Sequence, residues 1–240
     1  MNDYPFIRHL EELRRRIILC LITVIIASLT VYPFVNKILF YLTKPLERVI
    51  FTRPVEAFIV YIKLAIFGGL ILSIPLILYQ TWAFAGPGLK PNERRYVLFL
   101  FPLALVLFLA GGVFAYLVII PLGLKFLLGF GSAWLVPMIT VGSYISFFCI
   151  MTLAFGCVFE LPAVILLLSK LGLVTPQILR KNRKYVILAI FVTAAVITPP
   201  DVFTQIMIAV PLMLLYELGI YISYWACRDR IRANGNAGLK

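Results

Sequence analysis

What most constrains this chain is a series of apolar runs long enough to cross a bilayer, each bounded by charge, glycine or proline. Residues 17–35, 58–82, 96–120, 143–170 and 202–225 form five such runs, and 185–197 forms a shorter sixth. Crossing a hydrocarbon core of about 30 Å takes about 20 apolar residues in a helix. Inside that core only a helix or a closed barrel satisfies its own backbone. The chain is 62% hydrophobic and 13% charged, whereas soluble domains are about 45–50% apolar and about 25% charged. The expectation is an all-α, polytopic membrane protein, with residues 1–240 forming a single integral-membrane domain.

A net charge of +12 would suit a nucleic-acid partner only if the basic residues shared one polar surface. Here they sit in short runs at the ends of apolar segments, as membrane topology requires, so no nucleic-acid partner is expected. Arg14, Arg15 and Arg16 followed by an apolar run superficially match a secretory signal. The run is too long for a signal core and no small-residue cleavage site follows, so it reads as a retained first span. Cys20, Cys149, Cys157 and Cys227 lie in or beside apolar runs without C-x-x-C spacing; they read as small buried side chains, with no metal and no cofactor.

Residues 1–16 read as an amphipathic helix along the cytoplasmic face, with Phe6, Leu10, Leu13 and Ile17 at helical spacing. Glu12 has i,i+4 partners on both sides, Arg8 and Arg16. Between the first two spans lies a mixed segment, expected at the outer interface as short helices broken at Pro45 and Pro54. Gly68 with Gly69, and Gly111 with Gly112, permit close helix approach. Trp82 marks an interface. Pro121 is expected to end the third span, and 121–142 to form an outer cap.

The polar loop 84–95, FAGPGLKPNERR, carries Glu93 beside Lys90, Arg94 and Arg95. Its Pro-Gly and Lys-Pro-Asn steps fix turns, and Asn92 is placed to cap the helix that follows. A stiffened cytoplasmic loop that holds a carboxylate can recognise something cationic. Glu160 lies ten residues before Lys170, about 15 Å along a helix and so near mid-membrane. Intramembrane carboxylates are functional by default. Three readings stay open: polarising a cavity, binding a polar part of a substrate or partner helix, or hydrogen bonding to neighbouring spans as a protonated acid.

The basic loop before 185 and the basic tail both belong inside, so the chain between them crosses twice. The turn TPPD, ending at Asp201, separates two short C-terminal spans. Asp201 is a candidate at the outer face or a simple turn residue, and Gln205 is a candidate for docking a partner helix. Six spans with both termini cytoplasmic place sixteen of the 22 Lys and Arg residues inside.

The pieces HLEELRRR at 9–16, YQTWAFAGPGLKPNERR at 79–95, FAY at 114–116, FGCVFELP at 155–162, LRKNRKY at 179–185 and TPPDVFTQ at 198–205 together resemble the TatC family. This family supplies the polytopic subunit of the twin-arginine protein translocase. The resemblance covers nearly the whole chain. It implies a receptor in the bacterial inner membrane that binds folded precursors through a signal peptide with two adjacent arginines. It also implies recruitment of the single-span partners TatA and TatB, export driven by the proton-motive force, and further copies of the chain in a larger complex with membrane lipid around it. Glu12, Phe84 and Glu93 match the family's signal-binding positions.

Side-chain chemistry agrees, because a carboxylate accepts a planar guanidinium fork in a way that a lysine ammonium cannot match. The alternative from another class is a proton-coupled small-solute carrier using Glu160. No internal repeat of the kind carriers use is evident. An intramembrane enzyme is disfavoured by the absence of H-E-x-x-H, G-x-S-x-G or paired intramembrane aspartates.

Overall fold

The computed structural model describes residues 5–44, 46, 49–85, 94–129, 139–197 and 202–237. Among them the chain is helical, without strands. An isolated bridge pairs Ile50 with Thr140. Among the described residues five helical stretches are long and apolar enough to span a membrane: His9–Thr43, Pro54–Phe84, Leu100–Phe126, Val141–Leu171 and Val202–Cys227. Contacts divide the chain into two compact units, Met1–Lys90 with Leu128–Cys149, and Pro91–Leu127 with Ile150–Lys240.

In the first unit, α1 (Pro5–Val31) leads through a 3-10 turn, Tyr32–Phe34, into α2 (Val35–Thr43), and α3 (Pro54–Ala85) follows. The surface helix expected over 1–16 and the first span are thus one continuous helix. No proline or glycine separates Arg16 from Ile17, so nothing in the backbone interrupts the hydrogen-bond ladder. α1 and α3 run antiparallel, as the order of their contacts shows. Val31 meets Gly68, Ser28 meets Gly69, and Arg16 meets Gln80. A Cβ on Gly69 would lie 2.5 Å from the Ser28 backbone nitrogen, so the close approach expected at this glycine pair is present. Trp82, expected at an interface, is packed inside this unit at 6% exposure.

The same unit holds the start of α6 (Val141–Phe159). Glu56, in the first turn of α3, accepts the Gly142 N–H at 2.9 Å and the Thr52 N–H at 2.9 Å. It thereby satisfies an N-terminal amide of α6 that has no partner within the helix. Tyr144 donates its hydroxyl to the Leu42 carbonyl at 2.8 Å, and Lys63 donates to Ser146 at 2.8 Å.

The second unit begins with α4 (Arg94–Phe114) and continues through a π-helical turn, Ala115–Ile119, into α5 (Ile120–Leu128). Pro121 therefore does not end the third span, contrary to expectation. The Ile120 N–H bonds to the Ala115 carbonyl five residues back, and this wider register puts Pro121 in the first turn of α5, where its missing N–H costs little. Of the cap expected over 121–142, residues 130–138 lie outside the described residues.

The fourth span, expected as one run over 143–170, is interrupted at Glu160. α6 ends at Phe159, Glu160 occupies a turn, and α7 (Leu161–Leu171) begins after it. Pro162 supplies no N–H to continue the ladder. The Glu160 N–H instead bonds to Cys157 three residues back at 3.2 Å, and its carbonyl accepts from Val164 at 3.0 Å. α7 closes on Gly172, whose φ of 75° is the left-handed conformation of a helix C-terminus.

α8 (Pro176–Lys181), α9 (Arg183–Ile197) and α10 (Val202–Ala237) complete the unit. α7 packs along α10, where Gly219 receives Ile165, and the fully buried hydroxyls of Ser169 and Ser223 bond at 2.7 Å. Gly111 lies against the Phe155 carbonyl and Gly156 against the Phe108 ring, so α4 and the later part of α6 cross at small residues. The cysteines are less buried than expected. Cys157 is exposed and the other three are half-buried, all as free thiols.

Candidate functional site

α1 carries His9, Glu12 and Arg16 at separations of three and four, which puts them on one helix face. α3 carries Gln80 and Phe84 four apart on its last turns. Because the two helices are antiparallel, the start of α1 meets the end of α3. The His9 ring stacks on Phe84 with centroids 4.3 Å apart and 17° between planes. Seven residues on, Arg16 Nη1 donates to Gln80 Oε1 at 2.6 Å and to the Gln80 carbonyl at 3.5 Å. These two contacts are rungs between the helices, and Glu12 falls between them on the α1 side.

Arg16 also donates from Nε at 3.0 Å and from Nη2 at 2.6 Å, both to Glu12 Oε1. Among the described residues nothing donates to Glu12 Oε2. The pair is partly exposed, at 32% for the Glu12 side chain and 23% for Arg16. Such a pair contributes about 0–1 kcal/mol to stability, so the fold does not depend on it. Glu12, Arg15, Arg16, Leu19 and Gln80 line an open cleft of about 420 Å³. The cleft therefore presents a carboxylate beside the apolar Leu19 side chain, with the Phe84 ring stacked on His9 one turn of α1 before Glu12.

Of the residues singled out from sequence, Glu12 and Phe84 both lie in this unit, Glu12 bonded to Arg16 and Phe84 stacked on His9. Glu93 lies outside the described residues, as does Asp201. Arg16 was legible as an i,i+4 partner of Glu12, but Gln80 was not. A lone glutamine in YQTW carries no local signal, and its role appears only when α3 is laid against α1.

Glu160 sits at the break between α6 and α7. Both its carboxylate oxygens are shielded from solvent and without a hydrogen-bond partner among the described residues, as is Thr152 Oγ1. Gln205 donates its amide to the Phe191 carbonyl at 3.0 Å, tying α10 to α9. At the other end of α9, Arg183 pairs with Glu217 at 2.7 Å. Lys170 lies over the Trp225 ring and Arg180 over the Tyr224 ring, at 5.3 and 4.9 Å. No cluster of His, Cys, Asp and Glu able to hold a metal ion occurs among the described residues.

The family model for the Sec-independent protein translocase protein (TatC) matches residues 8–211. The Sec-independent protein translocase protein TatC of Carboxydothermus hydrogenoformans is 43% identical over 230 residues, covering 93% of this chain and 95% of that protein. The TatC of Desulforapulum autotrophicum is 43% identical over 223 residues, covering 90% and 83%. A crystal structure of the twin arginine translocase receptor TatC is similar at a TM-score of 0.83 with 39% identity, covering 91% of this chain and 99% of that one.

Proposed function

This chain belongs to the TatC family of Sec-independent protein translocase proteins, and we propose that it reads twin-arginine signal peptides at the cytoplasmic membrane surface. It is a multi-pass membrane protein and a core subunit of the translocase, a transport component and not an enzyme. The observation that supports the finer reading is the pairing of the start of α1 with the end of α3, His9 on Phe84 and Arg16 on Gln80, with Glu12 between those rungs. Glu12 accepts one guest guanidinium, and the resemblance assigns the second to Glu93 and the apolar residues that follow to Phe84. A charge-assisted hydrogen bond of this kind contributes about 1.5–3 kcal/mol. Replacing both arginines of a signal peptide by lysine should therefore weaken binding to the full chain in nanodiscs by at least about tenfold. Equal affinity for the two peptides, or solute uptake by the chain alone, would sink this reading.

The same reading places both termini in the cytoplasm and counts six spans, with α9 and α10 as the last two. The basic segments support that sidedness, and the setting is a bacterial inner membrane. At 15 residues, α9 extends about 22 Å, short of a core of about 30 Å, so the bilayer thins beside it. TatA and TatB dock in this thin region, with Asp201 and the acceptor end of the Gln205 amide as polar contacts, and export draws on the proton-motive force.

Glu160 is the cavity carboxylate that meets a polar group of substrate or partner. A buried carboxylate without a partner is costly, which favours an external one. Glu160→Gln keeps shape and polarity and removes ionisation. It is expected to lower export several-fold while signal-peptide binding stays at wild-type affinity. Full export by this variant would show that ionisation at 160 is irrelevant.

A further inference from the structure

We propose that Arg16 is a built-in surrogate for a signal-peptide arginine, occupying Glu12 in the unliganded chain and retiring onto Gln80 when a guest guanidinium takes the carboxylate. This rests on the reading of Glu12 as a signal-binding residue and adds a resident competitor to it.

The guanidinium of Arg16 is shared. Two nitrogens reach Glu12 Oε1, at 3.0 and 2.6 Å, and the third reaches Gln80 Oε1 at 2.6 Å and the Gln80 carbonyl at 3.5 Å. A carboxylate that accepts two donors on one oxygen cannot also take a guest's planar fork across both. For the bidentate pairing that favours arginine, Arg16 must give way. Gln80 makes that possible, because it offers two oxygens that keep Arg16 hydrogen-bonded in a site where the side chain is only 23% exposed. An arginine released there without an acceptor would be a stranded charge.

Breaking the contact of Arg16 with Glu12 costs the same whichever guest arrives, so the competition lowers by one factor the affinity of every guest that needs both carboxylate oxygens. A guest arginine replaces a guanidinium on a carboxylate by another guanidinium, so the swap is close to balanced.

The test uses the full chain in nanodiscs, titrated with a fluorescent signal peptide carrying Arg-Arg. Arg16→Met is expected to strengthen Arg-Arg binding several-fold, because the guest no longer displaces a resident guanidinium. Gln80→Leu is expected to weaken Arg-Arg binding several-fold, and that loss should vanish when combined with Arg16→Met. Gln80→Glu preserves the tie between α1 and α3, and should bind the Arg-Arg peptide at least as tightly as wild type, which covers the case in which Gln80→Leu fails to insert. Unchanged or weaker Arg-Arg binding in Arg16→Met, or a Gln80→Leu loss that persists without Arg16, overturns the exchange. Glu12→Gln separates the two levels. If it binds the Arg-Arg peptide like wild type, the site itself is wrong; if it loses binding while Arg16→Met leaves Arg-Arg binding unchanged, only the surrogate role is wrong.

Discussion

Glu12→Ala is expected to reduce crosslinking of a twin-arginine signal peptide by at least about tenfold while the protein still inserts and folds. The carboxylate is the acceptor that α1 contributes to the cleft, and its loss removes charge-assisted hydrogen bonds to a guest guanidinium. Folding should survive for a local reason. Glu12 touches Arg16 and not the α3 backbone, and Arg16 keeps both of its contacts to Gln80. The rung formed by His9 and Phe84 is likewise untouched. Unchanged crosslinking, with insertion verified by protease protection, would remove Glu12 from the site.

The second large effect concerns the scaffold that pairs the start of α1 with the end of α3. Gly69→Val is expected to destabilise the fold by several kcal/mol, seen as a lost or strongly lowered unfolding midpoint in detergent. A Cβ at position 69 would lie 2.5 and 2.6 Å from the backbone nitrogen and Cα of Ser28. Backbone of a neighbouring helix cannot turn aside as a side chain can, so α1 must separate from α3. Gly112→Ala supplies the comparison. Its Cβ would meet Thr152 Cγ2 at 3.4 Å, an ordinary contact, and stability should change by less than about 1 kcal/mol. Equal behaviour of the two variants would mean that helix separation at Gly69 does not set the fold.

The parts of this structure that a linear reading captured are those decided by local chemistry. Apolar runs located the helices, because the membrane forces each run to satisfy its own backbone. Glycine pairs marked close approaches, and HLEELRRR placed Glu12 beside Arg16 by simple helical spacing. The departures arose where a local rule met a larger context. Pro121 reads as a stop, but the π turn over Ala115–Ile119 absorbs it. Pro162 broke the fourth span at Glu160, two residues ahead, because the missing N–H is felt upstream. The cleft itself was only half legible. Glu12 and Phe84 stood out through their resemblance to family positions, whereas Gln80 gains meaning from antiparallel packing of α1 on α3. No sequence period encodes that contact across 64 residues.

The central claim is that the start of α1 and the end of α3 form one surface that holds the signal peptide. Its most direct test is photo-crosslinking from a benzophenone side chain placed at Phe84 or at Leu19, which lines the cleft, with Phe40 on α2 as the outer-segment control. Crosslinks to a twin-arginine signal peptide from 84 and 19, absent from 40 and lost when the two arginines become lysines, are the predicted result. Crosslinks that arise equally from 40, or none from 84 and 19 in a correctly inserted chain, would contradict it.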